Sequence, residues 1–328
     1  RGLLIIVGGL LLFSPWAPKN LQIEWFIWIQ TFCYGTTLIV GFILLIKHLK
    51  RPYFSWDPAF SIELIKKSWP YALLIVLMLL YTRVDGVMLE RMLINGAYES
   101  GVYAQGFRLL DALYMFGMIF AGLLFPLFSK QLKESIPAVL ELVKTSANLL
   151  LSGVLIIIFI TCYNSSFLLG LIYSDYQEAI EPFQFLMLGF FPICMNFIFG
   201  TLLTANGNLK ALNFISLGGI IANVCINLWL IPKYGALGAA IATFFTQLVT
   251  AILQYFYCVV KFKIPIKIIG FLKFAVLIVG LFGVSHYFNN SDYLILLQLI
   301  VGFFLTFTLS LIDLSSMKEL YFSSRRIK

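Results

Sequence analysis

Charge is what this sequence has least of, and residues that commonly do chemistry are nearly as scarce. Of 328 residues, 12% are Asp, Glu, Lys or Arg, and only two are His. A soluble domain is about a quarter charged and about half apolar. Here 61% of the chain is hydrophobic, more than one soluble core of this length hides from water. The five cysteines, Cys33, Cys162, Cys194, Cys225 and Cys258, form no CxxC and no Cys/His cluster. That excludes a zinc ribbon and a disulfide framework. His48 sits in a basic loop and His286 at the end of an apolar run, so both read as surface residues rather than ligands. No metal and no cofactor is expected, and no catalytic residue.

What fills the chain instead is long apolar runs. A membrane span needs about 20 apolar residues, and ten candidates are present: 2–16, 25–46, 69–91, 101–125, 142–163, 180–204, 211–231, 235–260, 268–287 and 293–312. The reading is an all-α polytopic membrane protein of about ten spans. Trp16, Trp25, Trp56 and Trp69 fall near the expected span ends, where amphipathic rings anchor at headgroups. The stretch 52–68 holds two prolines, Asp57, Glu63, Lys66 and Lys67. It reads as an interfacial connector between two bundles, partly amphipathic helix. The chain opens Arg1-Gly2-Leu3-Leu4 rather than with Met, and it reads as a fragment with spans missing before it.

The net charge of +8 would suggest nucleic acid in a soluble protein. Here the basic residues sit in short loops between apolar runs, and membrane topology accounts for them without nucleic acid. Alternate loops carry Lys47, Lys50, Arg51, Lys66 and Lys67, then Lys130 and Lys133, Lys210, then Lys261, Lys263 and Lys267, and finally Lys318, Arg325, Arg326 and Lys328. The opposite loops carry only Lys19, Arg91 and Lys233. Lys and Arg concentrate on the cytoplasmic side, so the C-terminus and the connector are expected there. A missed or invented span would have scrambled this phase.

Four ionisable residues interrupt apolar runs: Arg83 and Asp85 in the third expected span, Arg108 and Asp111 in the fourth. Each costs about 2.5–3.5 kcal/mol at mid-membrane, so such residues face a bundle interior or a wet cavity. The two spans form an antiparallel hairpin around the loop near 92–100. At 1.5 Å per residue, Arg83 and Asp111 lie at depths agreeing within about 3 Å. Asp85 and Arg108 agree similarly, so two crossed ion pairs are geometrically open. One reading makes the pairs staples of the hairpin. The other turns an arginine towards an anionic substrate, since its planar fork matches phosphate. Asn196, Asn223, Asn227, Thr243 and Gln247 also lie within spans, with interhelical hydrogen bonding as their ordinary role and substrate contact as the alternative. Pro192, mid-span, is a hinge candidate. Gly235, Gly238 and Ala239 allow close helix packing.

Several strings carry a family resemblance. They are Tyr81-Thr-Arg83-Val-Asp85-Gly-Val-Met-Leu, Gly101-Val-Tyr-Ala-Gln-Gly-Phe-Arg108-Leu-Leu-Asp111, Leu124-Phe-Pro126-Leu-Phe-Ser-Lys130, and Asn223-Val-Cys-Ile-Asn227-Leu-Trp-Leu-Ile-Pro232-Lys-Tyr-Gly235-Ala-Leu-Gly238. In order and spacing they resemble the flippases of lipid-linked oligosaccharides. These form the polysaccharide-biosynthesis branch of the multidrug/oligosaccharidyl-lipid/polysaccharide exporter superfamily.

The resemblance implies a two-lobed transporter of 14 spans, of which this chain lacks the first four. Residues 1–51 are then the last two spans of the N-terminal lobe, 52–68 the cytoplasmic connector, 69–263 a six-helix C-terminal lobe, and 264–328 two extra spans with a basic tail. It implies a transporter, not an enzyme, that moves undecaprenyl-pyrophosphate-linked oligosaccharide across the bacterial inner membrane by alternating access. Arg108 and then Arg83 are the expected phosphate contacts. Asp85 and Asp111 hold those arginines or carry a coupling Na+ or H+. Membrane lipid and polysaccharide assembly proteins are the implied partners. The alternatives within the superfamily are a lipid II flippase and an ion-coupled drug exporter. A membrane-bound polysaccharide polymerase is the rival from another class, but the longest loop is short and holds no acidic pair.

Overall fold

A computed structural model describes residues 23–48, 57–265, 267–288, 291 and 293–312. The expected first span, the start of the connector and the basic tail lie outside these residues. The described chain is helical throughout: α1 Ile23–His48, α2 Pro58–Met92, α3 Gly96–Glu134, α4 Ile136–Tyr163, α5 Ser165–Gly170, a 3-10 turn Gln177–Ala179, α6 Ile180–Ala205, α7 Leu209–Phe262, α8 Ile268–Tyr287 and α9 Leu294–Thr308. Helix is what the bilayer demands, because every backbone N–H and C=O must be satisfied within the segment. The chain divides into two compact units, residues 1–64 and 65–328.

In the first unit, α1 exposes apolar side chains on most of its faces, Trp28, Phe32, Leu38 and Phe42 among them. The described part of the expected connector is not a separate element. Asp57 accepts from the backbone N–H of Ala59 and Phe60 at 2.9 and 3.2 Å, capping the start of α2. From there the helix runs on past residue 68 to Met92.

In the second unit α6 is the central helix. It packs most extensively on α7, then on α3 and α4. Phe183, Leu186, Met187, Ile198, Leu202 and Leu203 on α6 are nearly or fully buried. Lipid is as apolar as these side chains, so close packing and interhelical hydrogen bonds, rather than escape from water, hold such helices together. The outer surface is correspondingly apolar, with Phe214, Trp229, Leu253 and Phe304 exposed.

Although helical along nearly all of its 54 residues, α7 breaks at Gly235, whose φ is 54° and ψ −130°. Residues eight apart in a straight helix are about 12 Å apart. Here a Cβ on Gly238 would lie 2.5 Å from the carbonyl oxygen of Leu230, so the chain folds back on itself. The two arms, 209–234 and 236–262, are the two spans expected there. Six helices among the described residues are long and apolar enough to cross a membrane, and α2, bent by 41° near residue 81, is a seventh. With α7 counted as two arms and the short apolar α9 included, each expected span from the second to the tenth has its helix.

The last two helices dock on α4 through one glutamine. Gln298 of α9 donates to Ser285 Oγ of α8 at 2.8 Å and to the carbonyl of Phe159 at 3.3 Å. Its own oxygen accepts from Asn164 at 3.2 Å. Leu155, Ile156, Leu277 and Leu281 pack around this clamp.

Candidate functional site

Asp85 is the most deeply placed charge in the second unit, at 1% exposure. Three elements aim donors at it. Tyr103 Oη from α3 lies 3.1 Å from Oδ2, Thr243 Oγ1 from the second arm of α7 lies 2.6 Å from Oδ2, and Asn227 Nδ2 from the first arm lies 2.6 Å from Oδ1. Asn227 Nδ2 also donates to Asn223 Oδ1 at 3.0 Å. The fold-back at Gly235 is what brings Asn227 and Thr243, 16 residues apart in sequence, onto one carboxylate. Beside these, Asn227 Oδ1 is buried and accepts no hydrogen bond among the described residues. The site thus gathers a carboxylate, two amide oxygens and a hydroxyl oxygen. Such a set suits a small hard cation, and it also suits a proton held on the carboxylate. Among the described residues no group of three or more His, Cys, Asp and Glu could hold a metal.

The arginines lie elsewhere. Arg83 Nη2 bonds Asp111 Oδ2 at 3.1 Å, with side chains 64% and 43% exposed. The Arg83 guanidinium also lies over the Phe107 ring, 5.3 Å from its centre. The first crossed pair is therefore present and is open rather than buried. The second is not formed. Asp85 points into the helix bundle and is satisfied by neutral groups, while Arg108 is exposed and lines a groove along α3 with Tyr98, Gln105, Tyr173, Asp175 and Glu178. Depth along two helices fixes only one coordinate. Rotation about each axis, which depth leaves open, turns Asp85 and Arg108 apart.

The polar span residues sort in the same way. Asn223 and Asn227 belong to the Asp85 cluster. Asn196 of α6 donates to Gln247 Oε1 at 2.9 Å and to Thr250 Oγ1 at 3.3 Å, joining α6 to the second arm of α7. Pro192 lies buried within α6, whose helix continues from Ile180 to Ala205. The sharp break of the second unit falls at Gly235 instead, where φ is positive.

Four contributors are absent from the sequence reading. Tyr103 looks like one more aromatic residue of an apolar helix. Glu99 accepts from the backbone N–H of Ala236 at 2.8 Å and so caps the second arm of α7. Thr250 and Gln254 share a face with Thr243 and Gln247, at offsets of 4, 7 and 11, a helical spacing that was readable.

Helices long and apolar enough to cross a membrane, a broken helix beside a buried carboxylate, and arginines on apolar helices together describe an all-helical polytopic membrane fold. The profile of the polysaccharide biosynthesis protein family matches residues 3–132. Among solved structures, the chain resembles the lipid II flippase MurJ in its inward closed conformation. The TM-score is 0.68 at 18% identity, over 94% of this chain and 64% of that one. The chain thus spans less than two thirds of the flippase it matches. No curated protein sequence matches it significantly. The profile match is confined to residues 3–132, and the structural likeness shows a shared all-helical fold.

Proposed function

We propose that the whole protein is a flippase, carrying undecaprenyl-pyrophosphate-linked oligosaccharide from the cytoplasmic to the periplasmic leaflet of the bacterial inner membrane. The observation that carries this reading is the exposure of two guanidiniums, Arg83 and Arg108, on apolar helices of a flippase-like fold. The physical problem is a charged pyrophosphate and a polar glycan crossing about 30 Å of hydrocarbon. Guanidinium forks bind phosphate oxygens two at a time, and alternating access releases the load on the far side. Asp111 holds Arg83 in place, and Asp85 with its oxygen-rich neighbours takes the coupling Na+ or H+.

The test is complementation of polysaccharide export by the full-length protein, with membrane abundance measured for each variant. Arg108→Ala abolishes export at normal abundance. Arg108→Lys recovers only part, because Lys supplies charge without the bidentate fork. Arg83→Ala lowers export as well, and since an exposed ion pair contributes only about 0–1 kcal/mol, the loss is not one of folding. Alanine variants of both arginines that export at the wild-type rate overturn the reading.

The likeness to a lipid II flippase favours a second substrate, lipid II itself. Growth of cells depleted of their own lipid II flippase and rescued by this protein decides for it. Rescue of polysaccharide export alone decides for the oligosaccharide.

A further inference from the structure

Neither the arginines nor Asp85 account for a cavity inside the second unit. It is half-open, about 190 Å³ in volume, and lies between α2, α6 and both arms of α7. Asn196, Thr201, Gln247, Thr250 and Gln254 supply its polar lining. Two acceptors there, Asn196 Oδ1 and Gln254 Oε1, are buried with no donor among the described groups, and Gln254 is only 7% exposed. An unsatisfied buried acceptor costs about 1–3 kcal/mol. Most of the wall is apolar, Leu74, Leu77, Met78 and Phe197 among it, and water held along the polar strip meets that demand.

Three of these lining residues share a helix face with Thr243, which lies one turn beyond the cavity. Thr243, Gln247, Thr250 and Gln254 form one face of the second arm of α7, and all are buried. At 1.5 Å per residue the file is about 16 Å long. Its inner end is Thr243, hydrogen-bonded to Asp85. Its outer end, Gln254, lies two helical turns from the end of the arm at Phe262, beside Lys261, Lys263 and Lys267. Thr204 of α6 lines the same cavity one turn from the loop that precedes Lys210. On both helices, then, the outer part of the lining lies towards the lysine-rich face.

We propose that this cavity is a water-filled vestibule through which the small coupling cation passes between Asp85 and the lysine-rich side of the membrane. The proposal rests on the reading of Asp85 as the coupling site. Water and neutral oxygens lower the cost of a cation within the membrane, and a file ending on a carboxylate draws it inward.

Cysteine accessibility in the full-length protein tests this, with the native cysteines replaced by Ser and each variant first required to restore export. The probe is a membrane-impermeant cationic methanethiosulfonate, applied to right-side-out and to inverted vesicles. Thiols in apolar surroundings stay protonated and inert, so from the lysine-rich side Thr250→Cys and Gln254→Cys react on the order of tenfold faster than the lipid-facing Val249→Cys and Leu253→Cys. Thr204→Cys and Ser216→Cys, on the same lining, serve where the first pair fails to restore export. Failure of the lining cysteines to react faster than the lipid-facing pair, or reaction from the opposite side only, overturns the vestibule. Asp85→Asn separates this from the coupling reading. If that variant exports normally, Asp85 is not the coupling site, and the vestibule loses its destination even where labelling succeeds. If it is inactive and the lining is unlabelled, only the route is removed.

Discussion

Asp85 is both an acceptor for three hydrogen bonds and a buried charge, and two substitutions separate the roles. Asp85→Ala removes the acceptor that Tyr103, Thr243 and Asn227 share; Asn227 keeps Asn223 and Tyr103 keeps Thr243 as partners, and a buried loss of this kind costs about 1–3 kcal/mol. Its membrane abundance should fall well below wild type. Asp85→Asn keeps an acceptor oxygen and discards the charge. It should stay near wild-type abundance and lose export, measured by immunoblot of membranes beside the complementation assay. Loss of abundance in both, restored by no second change, would mean that the carboxylate matters only to packing. That Asp85 was functional was legible from its cost in an apolar run. Its partners were not. Arg108 shares its depth, but side-chain direction around a helix axis depends on which neighbours pack where.

At the scale of elements, Gly235 decides the path of the chain. Its φ of 54° with ψ of −130° is a region essentially reserved for glycine, and a Cβ there would also run into the Glu99 carboxylate. Gly235→Ala should cost about 1–3 kcal/mol from backbone strain alone, read as a lower melting temperature in detergent. Glu99→Ala removes the acceptor for Ala236 N–H, about 0.5–2 kcal/mol for a lost cap. It should not rescue Gly235→Ala, because relieving the clash leaves φ unchanged. A double variant no less stable than Glu99→Ala alone would show that collision with Glu99, rather than φ, fixes the glycine. The boundaries of the two arms were visible as apolar runs on either side of 232–235. The connector reads as separate because Pro52, Pro58 and its charges look like breakers. Proline at the first helical position is preferred, however, and Asp57 caps it.

For the whole molecule, the distribution of Lys and Arg predicts sidedness. Cysteines at Lys233 and Ser291 should label from outside intact cells, and one at Gly207 should not. The reversed pattern overturns the orientation, and a mixed one overturns the span count. These sites probe the fold-back of α7, the loop between α8 and α9, and the loop between α6 and α7 respectively. The vestibule inherits its direction from the same result, since Gln254 and Thr204 lie towards the Gly207 side.

The sequence by itself determined that lipid surrounds this chain, that it crosses repeatedly as helices, and that charge is asymmetric across its loops. All of these follow from transfer energies summed over local windows, which no tertiary contact can reverse. It also marked Arg83, Asp85, Arg108 and Asp111 as residues too costly to lack a purpose, and it carried the family strings. Only the tertiary structure decided that Asp85 faces Tyr103, Asn227 and Thr243 while Arg83 takes Asp111 and Arg108 takes neither. It alone put Gln247, Thr250 and Gln254 into the wall of a cavity and Thr243, one turn further along the same face, against Asp85. Those outcomes depend on the rotation of each helix about its axis and on a reversal at one glycine. Packing against distant neighbours sets both, and no local window contains them.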